Sequence, residues 1–240
     1  MKSKTSSFIF LVLILTVFPV FGQEVLLDEE PETNNQQQSW GPNRNNYFQF
    51  IVFRGQYLQI GSNMLETETI QNKSLGVQLQ YKRRINNLFS GIVEAVYNFD
   101  QFGFDCDKPS QLNGATNYDK EHLKMHSTGI NGLFRINIDK RRGNYLGKFL
   151  ELGLFADYLI TSNHIGYYKG TEGVDKFKEV TLTESGLNYI NPLQYGILFR
   201  LGLNKYGIFY RNRYTYWITD FTINGFLPKH QLGISYSFTD

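Results

Sequence analysis

The chain has 240 residues, 41% hydrophobic, 16% aromatic and 19% charged, with a mean hydropathy of −0.34 and a formal net charge of +2. Only one run, at the N-terminus, is apolar enough to be a membrane helix, which argues against a helical membrane protein, and a single cysteine, Cys106, excludes a disulfide scaffold. So little charge beside so many Tyr and Phe fits neither a disordered chain nor a nucleic-acid binder.

Residues 1–22 have the form of a secretory signal peptide: Lys2 and Lys4, an apolar core from Phe8 to Val20, and small residues Val20 and Gly22 before the expected cleavage. A membrane anchor is the competing reading, although the core is short for a span. Removing the two lysines turns 24 basic and 22 acidic residues into 22 of each, so no bulk basic character remains to attract nucleic acid. Residues 23–46, rich in Gln, Asn, Glu and Pro, read as a flexible periplasmic tail, and the folded domain is expected over 47–240.

From Tyr47 onward the pattern has the period of two that marks strands. Phe48, Phe50 and Val52 open the first, whose phase Arg54 breaks. Leu75, Val77, Leu79 and Tyr81 oppose Gly76, Gln78, Gln80 and Lys82; Val93, Ala95, Tyr97 and Phe99 oppose Glu94, Asn98 and Asp100. Ile130, Phe134 and Ile136 oppose Asn131, Arg135 and Asn137, and Leu150, Leu152 and Leu154 oppose Glu151, Gly153 and Asp157. Leu193, Tyr195, Phe199 and Leu201 oppose Gln194, Gly196, Arg200 and Gly202; Tyr206–Trp217 sets Ile208 and Tyr210 against Arg211 and Arg213. Leu232, Ile234 and Tyr236 close the series against Gln231, Gly233 and Ser235, for eight strands in all.

The connections alternate between long (61–73, 101–121, 162–188, and a medium one at 218–229) and short (83–87, 139–147, 204–205). Long–short alternation around an even number of strands predicts an all-β, eight-stranded antiparallel up-and-down transmembrane β-barrel in the outer membrane, with long loops outside and short turns in the periplasm. A soluble sandwich is the alternative, but the polar faces here are rich in Gly, Ser, Asn and Gln rather than Lys and Glu. The basic short turns, with Arg83, Arg84, Lys140, Arg141, Arg142, Lys148 and Lys205 against Asp139, suit outer-membrane lipids as partners at the inner rim.

An eight-stranded barrel is narrow enough for its own side chains to fill. Lys82, Glu94, Arg135, Glu151, Asp157, Arg200, Arg211 and Arg213 are therefore expected to form a structural charge network within it, Arg135 and Glu151 being matched across one turn. A narrow channel lined by the arginines competes with that reading. No catalytic residue, cofactor or metal is expected. His126 with Ser127 or Thr128, oriented by Glu121 or Asp119, offers a faint basis for a lipid-modifying enzyme, and His122 and His126 are placed on a loop-to-strand junction. Cys106 between Asp105 and Asp107 reads as a surface turn.

Phe149–Tyr158 (FLELGLFADY), Leu187–Leu203 with its YGILFRLG run, and Leu227–Phe238 (LPKHQLGISYSF) resemble the PorT-like outer-membrane β-barrel proteins of Bacteroidetes-type bacteria. That resemblance implies a structural or interaction role without catalysis, with envelope or secretion-apparatus proteins as partners through the long loops, and assigns no site residue. The chain departs from many outer-membrane barrels in ending Phe238-Thr239-Asp240 rather than on an aromatic residue.

Overall fold

The computed structural model describes residues 44–60, 65, 67–104, 112, 118–139, 146–168, 180–219 and 227–238. The expected signal peptide, the tail before residue 44, and Cys106 lie outside them. The strands are β1 (Asn46–Leu58), β2 (Lys73–Arg84), β3 (Phe89–Phe104), β4 (Lys120–Asn137), β5 (Lys148–Tyr168), β6 (Val180–Ser185), β7 (Leu193–Leu203), β8 (Tyr206–Arg213) and β9 (His230–Phe238). All belong to one antiparallel sheet in the order β4-β3-β2-β1-β9-β8-β7-β5-β6, and a further β4–β5 pairing closes it into a ring.

Closure runs through β1, β2, β3, β4, β5, β7, β8 and β9; β6 stands outside the ring and, among the described residues, pairs with the far end of β5, Asn163–Tyr168. The expected count of eight strands therefore becomes nine. The extra strand comes from residues 162–188, which read as a loop. There β5 continues to Tyr168, and Val180–Ser185 returns along it because Val-Thr-Leu-Thr is itself a strand-forming run. The expected 101–121 connection also shortens, from both sides, since β3 extends to Phe104 and β4 begins at Lys120. His122 and His126 accordingly lie within β4, not at its junction with a loop.

Turn chemistry explains the tight end. Asn86 Oδ1 accepts the amides of Leu88 and Phe89 at 2.8 and 2.7 Å, clamping the β2–β3 turn. Asn204 takes a positive φ of 53° in the two-residue β7–β8 turn, a conformation Asn tolerates at little cost. On β5, Ser127 faces Leu159 while His126 faces Thr161, so Ile160 is the extra residue of a bulge. The bulge resets the inward phase, and Ser162 and His164 follow Asp157 on the inside.

Arg54 does not break the phase of β1. It stays on the outward face with Phe48, Phe50 and Val52, while Ile51, Phe53 and Tyr57 turn inward. Burial is inverted relative to a water-soluble protein: Ile130 and Leu154 are each 63% exposed, whereas Glu94 and Glu151 are 0% exposed and Arg135 is 1%. The inward faces also carry Phe53, Ile92, Val96, Leu133, Phe155, Leu198 and Phe209, which cluster across the ring. These apolar residues share the parity of the charged ones and supply the volume that polar side chains leave unfilled.

At the end where the long connections gather, a second cluster closes the ring. Leu65, Leu187, Ile190, Trp217, Ile218 and Leu227 pack over Tyr57, Phe102, Leu123 and Met125. An Ile190–Ile218 bridge and the bond from Asn191 N to Trp217 O, 2.7 Å, fix the covering segments to each other.

Candidate functional site

The inward charges fall into two groups. In the first, Arg200 on β7 reaches across the ring, its Nη1 donating to Glu94 Oε1 of β3 at 2.7 Å and to Glu151 Oε2 of β5 at 2.8 Å, while Nη2 donates to Gln78 Oε1 at 2.9 Å. Arg135 on β4 holds the other side of Glu151, with Nε to Oε1 at 2.6 Å, and its Nη2 donates to Gln80 at 3.0 Å. Gln80 and Asn131 complete Glu94 at 2.5 and 2.7 Å, and Gln49 bonds Gln80. Two guanidinium groups thus neutralise two carboxylates, and the amides of Gln78, Gln80 and Asn131 add further bonds, while Arg200 Nε and Asn131 Oδ1 stay buried without a hydrogen-bond partner.

The second group lies nearer the covered end. Arg211 Nη2 donates to Asp157 Oδ2 at 2.7 Å, and its guanidinium lies over the Phe155 ring at 3.8 Å. Arg213 Nη1 donates to the Tyr57 hydroxyl at 2.7 Å, and that hydroxyl donates to Asp100 Oδ1 at 2.8 Å. Arg213 also sits 4.3 Å from the Trp217 ring, so the apolar cover rests directly on the charged interior.

Seven of the residues expected in a network are therefore assembled: Glu94, Arg135, Glu151 and Arg200 in one group, and Asp157, Arg211 and Arg213 in the other. Lys82 is buried on the inward face of β2, with its ammonium 5.8 Å from the Tyr47 ring. Asp100 and Tyr57 are added by the structure. Asp100 was readable as inward-facing, but Tyr57 follows Arg54 and could be placed only once that residue was known to keep the phase.

The histidine arrangement does not form. His126 Nδ1 shares a hydrogen bond with the Tyr97 hydroxyl at 2.7 Å on the outward face, and Ser127 is inward. Thr128 Oγ1 donates to the Val96 carbonyl at 3.1 Å, and Glu121 bonds His164 instead, at 2.7 Å. The His164–Glu121 pair is buried beside Tyr118 near the covered end. Burial first, then the neighbouring Glu184 and Glu121, pushes the nearby Tyr189 hydroxyl well above the ordinary tyrosine range. Among the described residues, no group of three or more His, Cys, Asp or Glu is placed to hold a metal ion.

Chemically, the interior is a charge-paired array: arginines and amides engage Glu94 and Glu151, Arg211 engages Asp157, and aromatic rings lie against the guanidinium groups of Arg135, Arg211 and Arg213. No protein-family model matches the chain. No curated protein matches it either.

Proposed function

We propose that the chain is an exported β-barrel of the bacterial outer membrane, of the PorT-like kind, eight of its nine strands forming the closed ring, with a structural or docking role and no catalysis. The inverted burial carries this reading: lipid is the solvent that accepts Ile130, Leu152, Leu154, Ile208 and Ile234 on the outside while Arg135, Glu151 and Arg200 stay paired within. Aromatic pairs bound the apolar band, with Phe89–Phe134 and Tyr206–Tyr236 at the tight-turn end and Phe99–His126 and Tyr210–His230 at the other. Phe89 and Phe99 stand ten positions apart on β3, which at the tilt usual in such barrels corresponds to a height of about 25 Å.

The ring's interior is filled rather than open, so the surfaces left for partners are the connections at the covered end. Envelope or secretion-apparatus proteins are the partner class we assign to them. Export with outer-membrane fractionation and heat-modifiable gel mobility tests the reading. Recovery in the soluble periplasmic fraction, with identical migration before and after boiling, would overturn it.

A further inference from the structure

Toward the covered end, the outward faces of β1 to β4 carry one register row made only of polar residues. Lys124 of β4 pairs with Gln101 of β3, Gln101 with Lys73 of β2, and Lys73 with Gln56 of β1. The next row down holds His126, Phe99, Leu75 and Arg54, and below it lie Thr128, Tyr97, Val77 and Val52. An all-polar row thus gives way to rows that are mainly apolar, and Arg54 is a cation set among them beside Leu75.

Lys73, Lys124 and Arg54 form no hydrogen bond or ion pair among the described residues, and Lys120 extends the same charge further up β4. Their field is felt locally. His122, one row above Lys124, is held below the ordinary histidine range first by burial and then by Lys124, with Lys120 and Lys73 adding to it and Glu68 opposing. Its Nδ1 is buried without a hydrogen-bond partner. Glu68 is hydrogen-bonded by Gln71, and among the described residues it forms no ion pair with the lysines of this row.

Lys73 and Lys124 lie two strands apart, about 10 Å at the backbone. Side chains of that length can close on one anion above Gln101, whose amide can supply a further donor. Arg54 is diagonal to Lys73 and can reach up to the same group. We infer that this row is a binding site for a phosphorylated lipid of the outer leaflet, its phosphate held by Lys73, Lys124 and Arg54 and its acyl chains lying on Phe99, Leu75 and Val77. A phosphorylated amphiphile is the ligand that satisfies unpaired cations and an adjoining apolar face together. This inference rests on the barrel reading above.

The test reconstitutes the full chain in phosphatidylcholine vesicles containing either a phosphorylated lipid A or its dephosphorylated form. After exchange against excess phosphatidylcholine, the retained lipid is measured by mass spectrometry. The phosphorylated form is expected to be retained selectively, and Lys73→Gln with Lys124→Gln to lose about fivefold per lysine, about 30-fold together. Lys148→Gln, at the opposite end of the ring, is expected to retain the lipid as the unsubstituted chain does. Equal retention of both lipids, undiminished retention by the double variant, or displacement by inorganic phosphate would overturn the inference. Heated and unheated samples of the same preparations separate the two readings. A heat shift without phosphate selectivity removes this site alone, whereas absence of both insertion and heat shift removes the barrel and the site with it.

Discussion

Replacing Arg200 by Met tests whether the interior is a dry, charge-paired plug. The guanidinium makes three of the close contacts that neutralise Glu94 and Glu151, at 2.7, 2.8 and 3.3 Å, together with the bond to Gln78. Without it, Glu151 keeps Arg135 at 2.6 Å, but Glu94 keeps only the neutral amides of Gln80 and Asn131. Methionine restores much of the volume, so the loss is mainly that of a charge partner. Stranding a buried carboxylate costs about 3–5 kcal/mol. With a urea m value of about 2 kcal/mol/M, the unfolding midpoint of the chain in vesicles should fall by about 2 M. The reciprocal change rescues: Arg200→Met with Glu94→Gln leaves Arg135 and Glu151 as a neutral pair, and should recover at least half the loss. Urea titration followed by gel mobility and tryptophan fluorescence measures both variants. A cost below about 1 kcal/mol for Arg200→Met, or a double variant no more stable than the single one, would show that Glu94 is solvated and refute the reasoning.

Two glycines on one strand pair give a sharper packing test. A Cβ on Gly153 would stand 2.0 Å from the Gly132 carbonyl oxygen, whereas one on Gly132 meets nothing within 4 Å. Gly153→Ala should cost about 1–3 kcal/mol in urea unfolding and Gly132→Ala less than about 0.5; equal effects would place the β4–β5 register in error. His122 supplies a pH signature. Because its folded pKa is depressed, the unfolded chain binds its proton first, so its contribution to stability is present above pH 6.5 and is lost as pH falls toward the folded value. His122→Gln should flatten that part of the stability profile, and an unchanged profile would contradict the burial that, with Lys124 second, lowers its pKa.

The sequence makes the alternation legible wherever small or polar residues alternate with apolar ones, as in Leu75–Lys82 and Leu193–Gly202. It also makes Arg135 and Glu151 legible as a pair, because both count back from one short turn. The reach of Arg200 to Glu94 was not legible: β7 and β3 are not neighbours in the ring, and only the narrow interior brings side chains 106 positions apart into contact. Arg54 misled because a charge on an apolar face looks like a phase change. Ile160 hid for the opposite reason, since a bulge leaves the composition of β5 untouched while shifting its inward parity. The apolar residues Ile92, Leu133 and Phe155 shared the polar parity in plain view, but their chemistry alone did not say that they fill the inside.

A barrel in the outer membrane requires that the outward face of the ring meet lipid. Single spin labels at Ile130, Leu154 and Ile208, in a Cys106→Ser background and in reconstituted vesicles, test it most directly, by comparing collision with oxygen, which dissolves in the bilayer, and with a water-soluble nickel chelate. Strong oxygen broadening and near-exclusion of nickel are expected at all three positions. Free access of the nickel chelate to them would contradict lipid contact.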